Sequence, residues 1–166
     1  VSGSVSGSVS GSVIPNAHGM RAAVVAEALR WVGTPYHHLG DVHGAGVDCA
    51  MLLVRVYAAC GLVPAGLDPR PYAPDWHLHK GEELYRNWVE QHALMQGDGQ
   101  PEPGDVMLWR FGRAFSHAGI VTGFGRPAPI VHALRSAGAV VISDTHDPEL
   151  QDRPCLRYRL PALSLT

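Results

Sequence analysis

The sequence predicts an α+β domain in which helices pack on a mainly antiparallel sheet of about five strands. Three observations carry this. Apolar residues recur at helical spacing up to residue 61 and again over 82–94, whereas beyond Gly104 the pattern changes to short β-like runs separated by Gly, Pro and Asp. The third is size: 166 residues, 46% of them apolar, are one domain's worth of chain with enough material for a core. There is no internal repeat.

Residues 1–12 repeat Val-Ser-Gly-Ser, with neither a basic region nor an apolar core behind them. Residues 1–17 are therefore expected to be a flexible Gly/Ser linker or appended segment, not a signal peptide, and 18–163 the folded domain. A first helix is predicted from Met20 to Val32, where Met20, Val24, Ala28 and Trp31 share a face and Gly33-Thr34-Pro35 ends the run. The glycine-rich loop 40–46 leads to a second helix beginning at or beside Cys49. Its stripe of Cys49, Leu52, Leu53, Val56, Tyr57 and Cys60 ends at Gly61. Residues 62–79, rich in Pro and His, are predicted as an ordered surface loop. A third, more exposed helix is expected over 82–94 with Leu84, Trp88 and Val89 inward. The strands follow at 105–110, 117–122, 129–134, 139–143 and 156–160.

Composition excludes several classes of function. Charged residues are 17% of the chain and the net charge is -2, with no run of basic residues, so neither a nucleic-acid arm nor a polybasic membrane patch is present. No apolar stretch approaches the roughly 18 residues needed to span a bilayer. The three cysteines (Cys49, Cys60, Cys155) are too few for a disulfide framework and form no C-x-x-C pair. Ten histidines direct attention to imidazole chemistry.

Cys49 stands where a helix N-terminus offers unpaired N–H groups to a thiolate, and it is equally the first residue of an apolar stripe. His117 and His132 lie on neighbouring predicted strands. A hairpin turning between Phe124 and Gly125 sets them directly opposite on one face, close enough for one imidazole to take the thiol proton while the other fixes its orientation. The same register also suits two half-buried histidines satisfied by backbone groups, and a slip of one residue separates the faces. Cys60 lies on the inward stripe of helix two and Cys155 follows a proline with no histidine placed near it; both are assigned to structure.

Five segments in order, Trp31-Val-Gly-Thr-Pro-Tyr36, Gly44-Ala-Gly-Val-Asp48-Cys49, Pro103-Gly-Asp105-Val, Ser116-His117-Ala-Gly-Ile120 and Ile130-Val-His132-Ala133, resemble the NlpC-type cell-wall cysteine peptidases, a papain-like family. The resemblance covers residues 20–160. Pro71-Tyr-Ala-Pro-Asp-Trp76 and the Val140-Val141 strand further resemble the branch encoded with phage tails and gene-transfer agents. The resemblance implies a papain-like fold with Cys49 as nucleophile, His117 as general base and His132 as the orienting third residue. It also implies a peptidoglycan stem peptide as substrate, cut between γ-D-glutamate and a diamino acid, with neither metal nor organic cofactor. Tyr36 matches a cleft tyrosine, and is equally a buried aromatic beside a turn. Asp48 matches a residue that receives the substrate's free amino group, a role compatible with N-capping. Many members carry serine after the cysteine and this chain has Ala50, which removes one polar contact to that amine. Phage tail-tip or gene-transfer-agent proteins are the implied partners, in a particle acting at the bacterial cell wall.

Three rivals remain at this level. A metal site would need a ligand spacing that His37, His38, His43, His77, His79 and His146 do not show. A structural tail-tip component would keep the fold without catalysis. A papain-like acyltransferase or amidase would use the same Cys and His on another substrate.

Overall fold

The computed structural model describes residues 16–79 and 82–164. Residues 1–15 of the expected linker lie outside them. Its last two residues open a helix instead: Asn16 is the N-cap of α1 (Ala17–Arg30), its side-chain oxygen accepting the Gly19 N–H at 2.9 Å. A two-residue hairpin, β1 (Asp41–Val42) and β2 (Gly46–Val47), occupies the glycine-rich loop. Then come α2 (Cys49–Ala59), α3 (Trp76–His79), α4 (Leu84–Glu90) and six strands: β3 (Leu94–Gln96), β4 (Val106–Phe111), β5 (Ala114–Val121), β6 (Pro129–Leu134), β7 (Ala139–Asp144) and β8 (Cys155–Arg159). A single 3₁₀ turn at Pro161–Leu163 follows.

The six strands form one antiparallel sheet in the order β3-β8-β4-β5-β6-β7. The chain's last strand is thus inserted between β3 and β4. The sixth strand is a correction to the expected third helix, which was drawn through Leu94. That helix ends at Glu90, and Leu94 and Gln96 pair with Arg159 and Arg157 of β8. Its inward face also differs: Tyr85 and Val89 are buried whereas Leu84 is 46% exposed. Residues 85 and 89 are one turn apart and share a face, while Leu84 lies about 100° round the helix from Tyr85.

Both sheet faces are covered. On one, Leu108, Ala118, Ile120, Val131 and Val140 pack against Val24 and Ala28 of α1 and against α2, whose Met51, Leu52 and Val56 are fully buried. On the other, Trp109, Val121 and Ile130 pack with Leu150 from the β7–β8 connection. Polar groups in the interior are paired, as the cost of an orphaned one requires. Asp105, fully buried at the start of β4, accepts from Arg159 Nε at 2.7 Å and Arg159 Nη2 at 2.9 Å, with Arg21 3.5 Å away. The Tyr57 hydroxyl donates to the Gly104 carbonyl at 2.9 Å, tying α2 to the same corner. The outcome for function is positional: α2 runs against the sheet with its N-terminus beside the middle of β5.

Candidate active site

Asp48 starts α2 because its extended backbone (φ -104°, ψ 177°) and carboxylate suit an N-cap. Its Oδ1 accepts the Met51 N–H at 2.9 Å and its Oδ2 the Leu39 N–H at 2.8 Å. The Tyr72 hydroxyl lies 2.9 and 2.8 Å from the same two oxygens, so the carboxylate, 1% exposed, is held on every side. His38 adds a ring nitrogen 3.7 Å from Oδ2 and its other nitrogen bonds the Tyr72 carbonyl. The expected amine-binding carboxylate is thus covered by Tyr72. An amine arriving from the cleft would have to displace that hydroxyl.

Asp48→Ala removes the cap and takes the acceptor from the Met51 and Leu39 N–H groups and the Tyr72 hydroxyl. The expected outcome is a loss of about 2–3 kcal/mol, read as a lowered urea midpoint with an unchanged slope.

The next residue, Cys49, is half-buried at the first position of α2, and the Tyr85 hydroxyl pins its carbonyl at 3.0 Å. Its thiol points to the backbone of β5, 3.7 Å from the Ser116 carbonyl. β5 and β6 pair only at Ile120↔Val131 and Val121↔Ile130. The backbone N–H groups of Ala118, Cys49 and Ala50 favour the thiolate, but burial dominates, and with the Asp48 charge it pushes the thiol up to about 12.

The β5–β6 register corrects the expected one by two residues. It carries His132 opposite Gly119 instead of His117, and because the shift is even both imidazoles stay on one face. They meet diagonally, His117 Nε2 lying 2.9 Å from His132 Nδ1 with ring centroids 5.1 Å apart. Gly119 makes room for this: a Cβ there would sit 3.3 Å from the His132 Cβ and 3.4 Å from the Trp109 ring. Trp109 and Phe111 flank His117, and the Arg153 guanidinium lies 3.7 Å from the Phe111 ring centre. Burial first, then His132 and Arg153, pull His117 down to about 3. Burial likewise lowers His132 to about 4, against the opposing pull of Asp147 and Glu149. Burial thus disfavours the charged form of the thiol and of both imidazoles.

Cys49, His117, Asp48 and Tyr36 all line one cleft of about 620 Å³. Tyr36 is held by a backbone bridge to Val47 and its phenol is raised above the ordinary range, by burial first and by Cys49 and Asp48 after it. One wall is apolar, with Trp76, Leu78, Leu84, Trp88 and Phe111. The other carries Arg135, Ser136 and Glu149, and Arg135 reaches over to Asp75 at 3.1 Å. His132 lies behind His117 with no exposed surface.

Two functional candidates were missed from sequence. Tyr72 sits in the Pro-rich loop, where two flanking prolines were the available signal. Ser143 bonds His132 Nε2 through its hydroxyl at 2.8 Å, and no motif marks it. Among the described residues no group of three or more His, Cys, Asp or Glu side chains is placed to hold a metal. Nor is any helix there long and apolar enough to cross a membrane. The glycine-rich loop 40–46, as a hairpin, brings Asp41 to Arg55 at 2.6 Å.

Comparison with known proteins places the fold. No family model matches the chain, and no curated protein matches it. Solved structures do. The NlpC/p60 domain of the peptidoglycan hydrolase SagA is similar at a TM-score of 0.55 and 22% identity, over 82% of this chain and 96% of that one. NlpC1 from Trichomonas vaginalis is similar at 0.60 and 14% identity, over 84% of this chain and 43% of that one. An N-acetylmuramoyl-L-alanine amidase from Bacteroides uniformis is similar at 0.53 and 14% identity, over 85% and 98%. The α+β fold is that of the NlpC/p60 domains.

Proposed function

We propose that this chain is a cysteine hydrolase of peptidoglycan stem peptides that cuts the amide between γ-D-glutamate and a diamino acid. We assign Cys49 as nucleophile, His117 as general base and His132 as orienting residue. The observation that carries the reading is the thiol at the start of α2 in the same cleft as an imidazole whose far nitrogen is hydrogen-bonded at 2.9 Å to a second, fully buried imidazole. Structural likeness to domains named as a peptidoglycan hydrolase and as a muramoyl-alanine amidase supports the substrate class. The setting that goes with the sequence resemblance is wall penetration by a phage tail or gene-transfer particle.

The steps start from the forms that burial favours. His117, with its proton on Nε2 donated to His132, takes the Cys49 proton on Nδ1 as the sulfur attacks the scissile carbonyl. The Cys49 N–H at the positive end of α2 is positioned to receive the developing oxyanion. Collapse breaks the C–N bond, and the His117 imidazolium returns its proton to the departing amine, leaving a thioester on Cys49. Water, deprotonated by His117, then attacks the thioester; the carboxylate product leaves and the thiol is restored. Tyr36 and Tyr72 border the substrate, with Asp48 acting on it through Tyr72.

The test is digestion of purified muropeptides followed by mass spectrometry of the products. A new amino terminus on the diamino acid is expected. Release of an intact stem peptide from the muramyl lactyl group would instead identify an amidase on the same site, and intact muropeptides after long incubation would sink the substrate assignment.

A further inference from the structure

We infer that Ser143 is a positioning residue of this site: its hydroxyl supplies an acceptor for the His132 Nε2–H, and so supports the tautomer of His132, and through it that of His117, which leaves Nδ1 able to accept the Cys49 proton. The inference rests on the roles proposed for Cys49 and His117.

Ser143 lies on β7. The β6–β7 ladder pairs His132 with Val141 and Ile130 with Ser143, so Ser143 is the diagonal neighbour of His132 on the same face. The His132 ring has no exposed surface, and its two nitrogens meet one partner each, His117 Nε2 at 2.9 Å and Ser143 Oγ at 2.8 Å. A neutral imidazole has one N–H and one lone pair, so the state of each ring dictates that of the next. His117 accepts a proton on Nδ1 only if its own proton is on Nε2. That proton needs an acceptor, so His132 must be unprotonated at Nδ1 and protonated at Nε2, and Ser143 Oγ must accept.

Reversing the order reverses the site. If His132 carried its proton on Nδ1 it would donate to His117 Nε2, and the His117 proton would face the thiol from Nδ1, donor against donor. A second benefit arises when His117 becomes an imidazolium, because its Nε2–H then still meets a lone pair. The charged groups around the pair do not replace this function. Asp147 and Glu149, from the connection after β7, act on His132 through space only, since the Asp147 carboxylate accepts from the Glu149 N–H and the Glu149 carboxylate from the Ser136 hydroxyl. Arg153, ahead of β8, acts on His117, while Asp48 and Cys49 face the cleft from α2. Among the described residues, Ser143 alone hydrogen-bonds the outer nitrogen of His132.

Threonine and valine at position 143 have the same shape and differ in the hydroxyl, and both suit a strand. The experiment measures iodoacetamide alkylation of Cys49 in the full chain from about pH 5 to pH 10, followed on the proteolytic peptide that carries Cys49 so that Cys60 and Cys155 do not contribute. Wild type and Ser143→Thr are expected to show a plateau through neutral pH, from proton transfer to His117, below an alkaline rise from the ionised thiol. Ser143→Val is expected to lower the plateau about tenfold and leave the alkaline rise in place. Were Ser143→Val not to fold, Ser143→Ala replaces it against the same threonine variant.

A valine profile that overlies the wild type, or one lowered equally at all pH values, overturns the assignment, since a packing role would not distinguish the two limbs. A wild type without a neutral plateau overturns it together with the role of His117. Failure of the substrate reading shows elsewhere: muropeptides stay intact while the plateau and its loss in Ser143→Val remain, an outcome that supports the positioning role.

Discussion

Cys49→Ala is expected to bring muropeptide cleavage to the uncatalysed background, a loss on the order of 10⁵-fold or more, and His117→Ala to lower kcat/KM by about 10³-fold. The two losses differ for a physical reason. Without sulfur no thioester forms, whereas without His117 attack still proceeds through whatever thiolate ionises by itself. With the thiol pushed up to about 12 that fraction is roughly 10⁻⁵ at pH 7. Residual cleavage by His117→Ala should therefore climb about tenfold per pH unit between pH 7 and 9, while the wild-type rate stays flat over the same range. Kinetics of both variants on one purified muropeptide decide the matter; undiminished cleavage by Cys49→Ala would remove the nucleophile from the site proposed here.

Acid is expected to begin destabilising the protein above the range where its carboxylates titrate. His117 is held at about 3 and His132 at about 4, both chiefly by burial, while an unfolded imidazole titrates near 6.5. Below about pH 6.5 the unfolded chain therefore binds protons that the folded chain refuses, so stability is full above that pH and falls as pH descends toward 4. Each refused proton costs about 1.4 kcal/mol per pH unit. Two such groups over some two pH units remove on the order of 5 kcal/mol, comparable with the whole stability of many domains. Urea midpoints followed by tryptophan fluorescence from pH 7 to 4.5 measure the slope. His132→Gln, whose amide does not titrate, is expected to halve it; an unchanged slope would assign the acid sensitivity to other groups.

The helix start and the five principal strands were legible because their signals are local. Asp48 caps Met51 three residues on, and Pro129–Leu134 is a short, nearly continuous apolar run, buried from Ile130 to Leu134. What was not legible depends on long-range partners. Leu94–Gln96 becomes a strand because β8, some sixty residues later, pairs with it, and nothing in its own three residues outweighs the helical pattern before it. The β5–β6 register rests on a loop whose turn residues fix no single geometry, so His117 and His132 were brought to one face with the wrong offset. Their shared face survives because parity, not offset, decides it. Tyr72 and Ser143 escaped because a hydroxyl has no spacing rule; it becomes meaningful only beside the carboxylate or ring it touches.

The Arg135–Asp75 pair has a consequence for the form in which a substrate arrives. It joins the β6–β7 turn to the segment just ahead of α3, and both residues line the cleft. With the two side chains 68% and 46% exposed, parting costs less than about 1 kcal/mol, and less again in salt. A pair that weak is no bar to the bulky cross-linked substrate proposed above, because it can part at little cost when something larger presses on it.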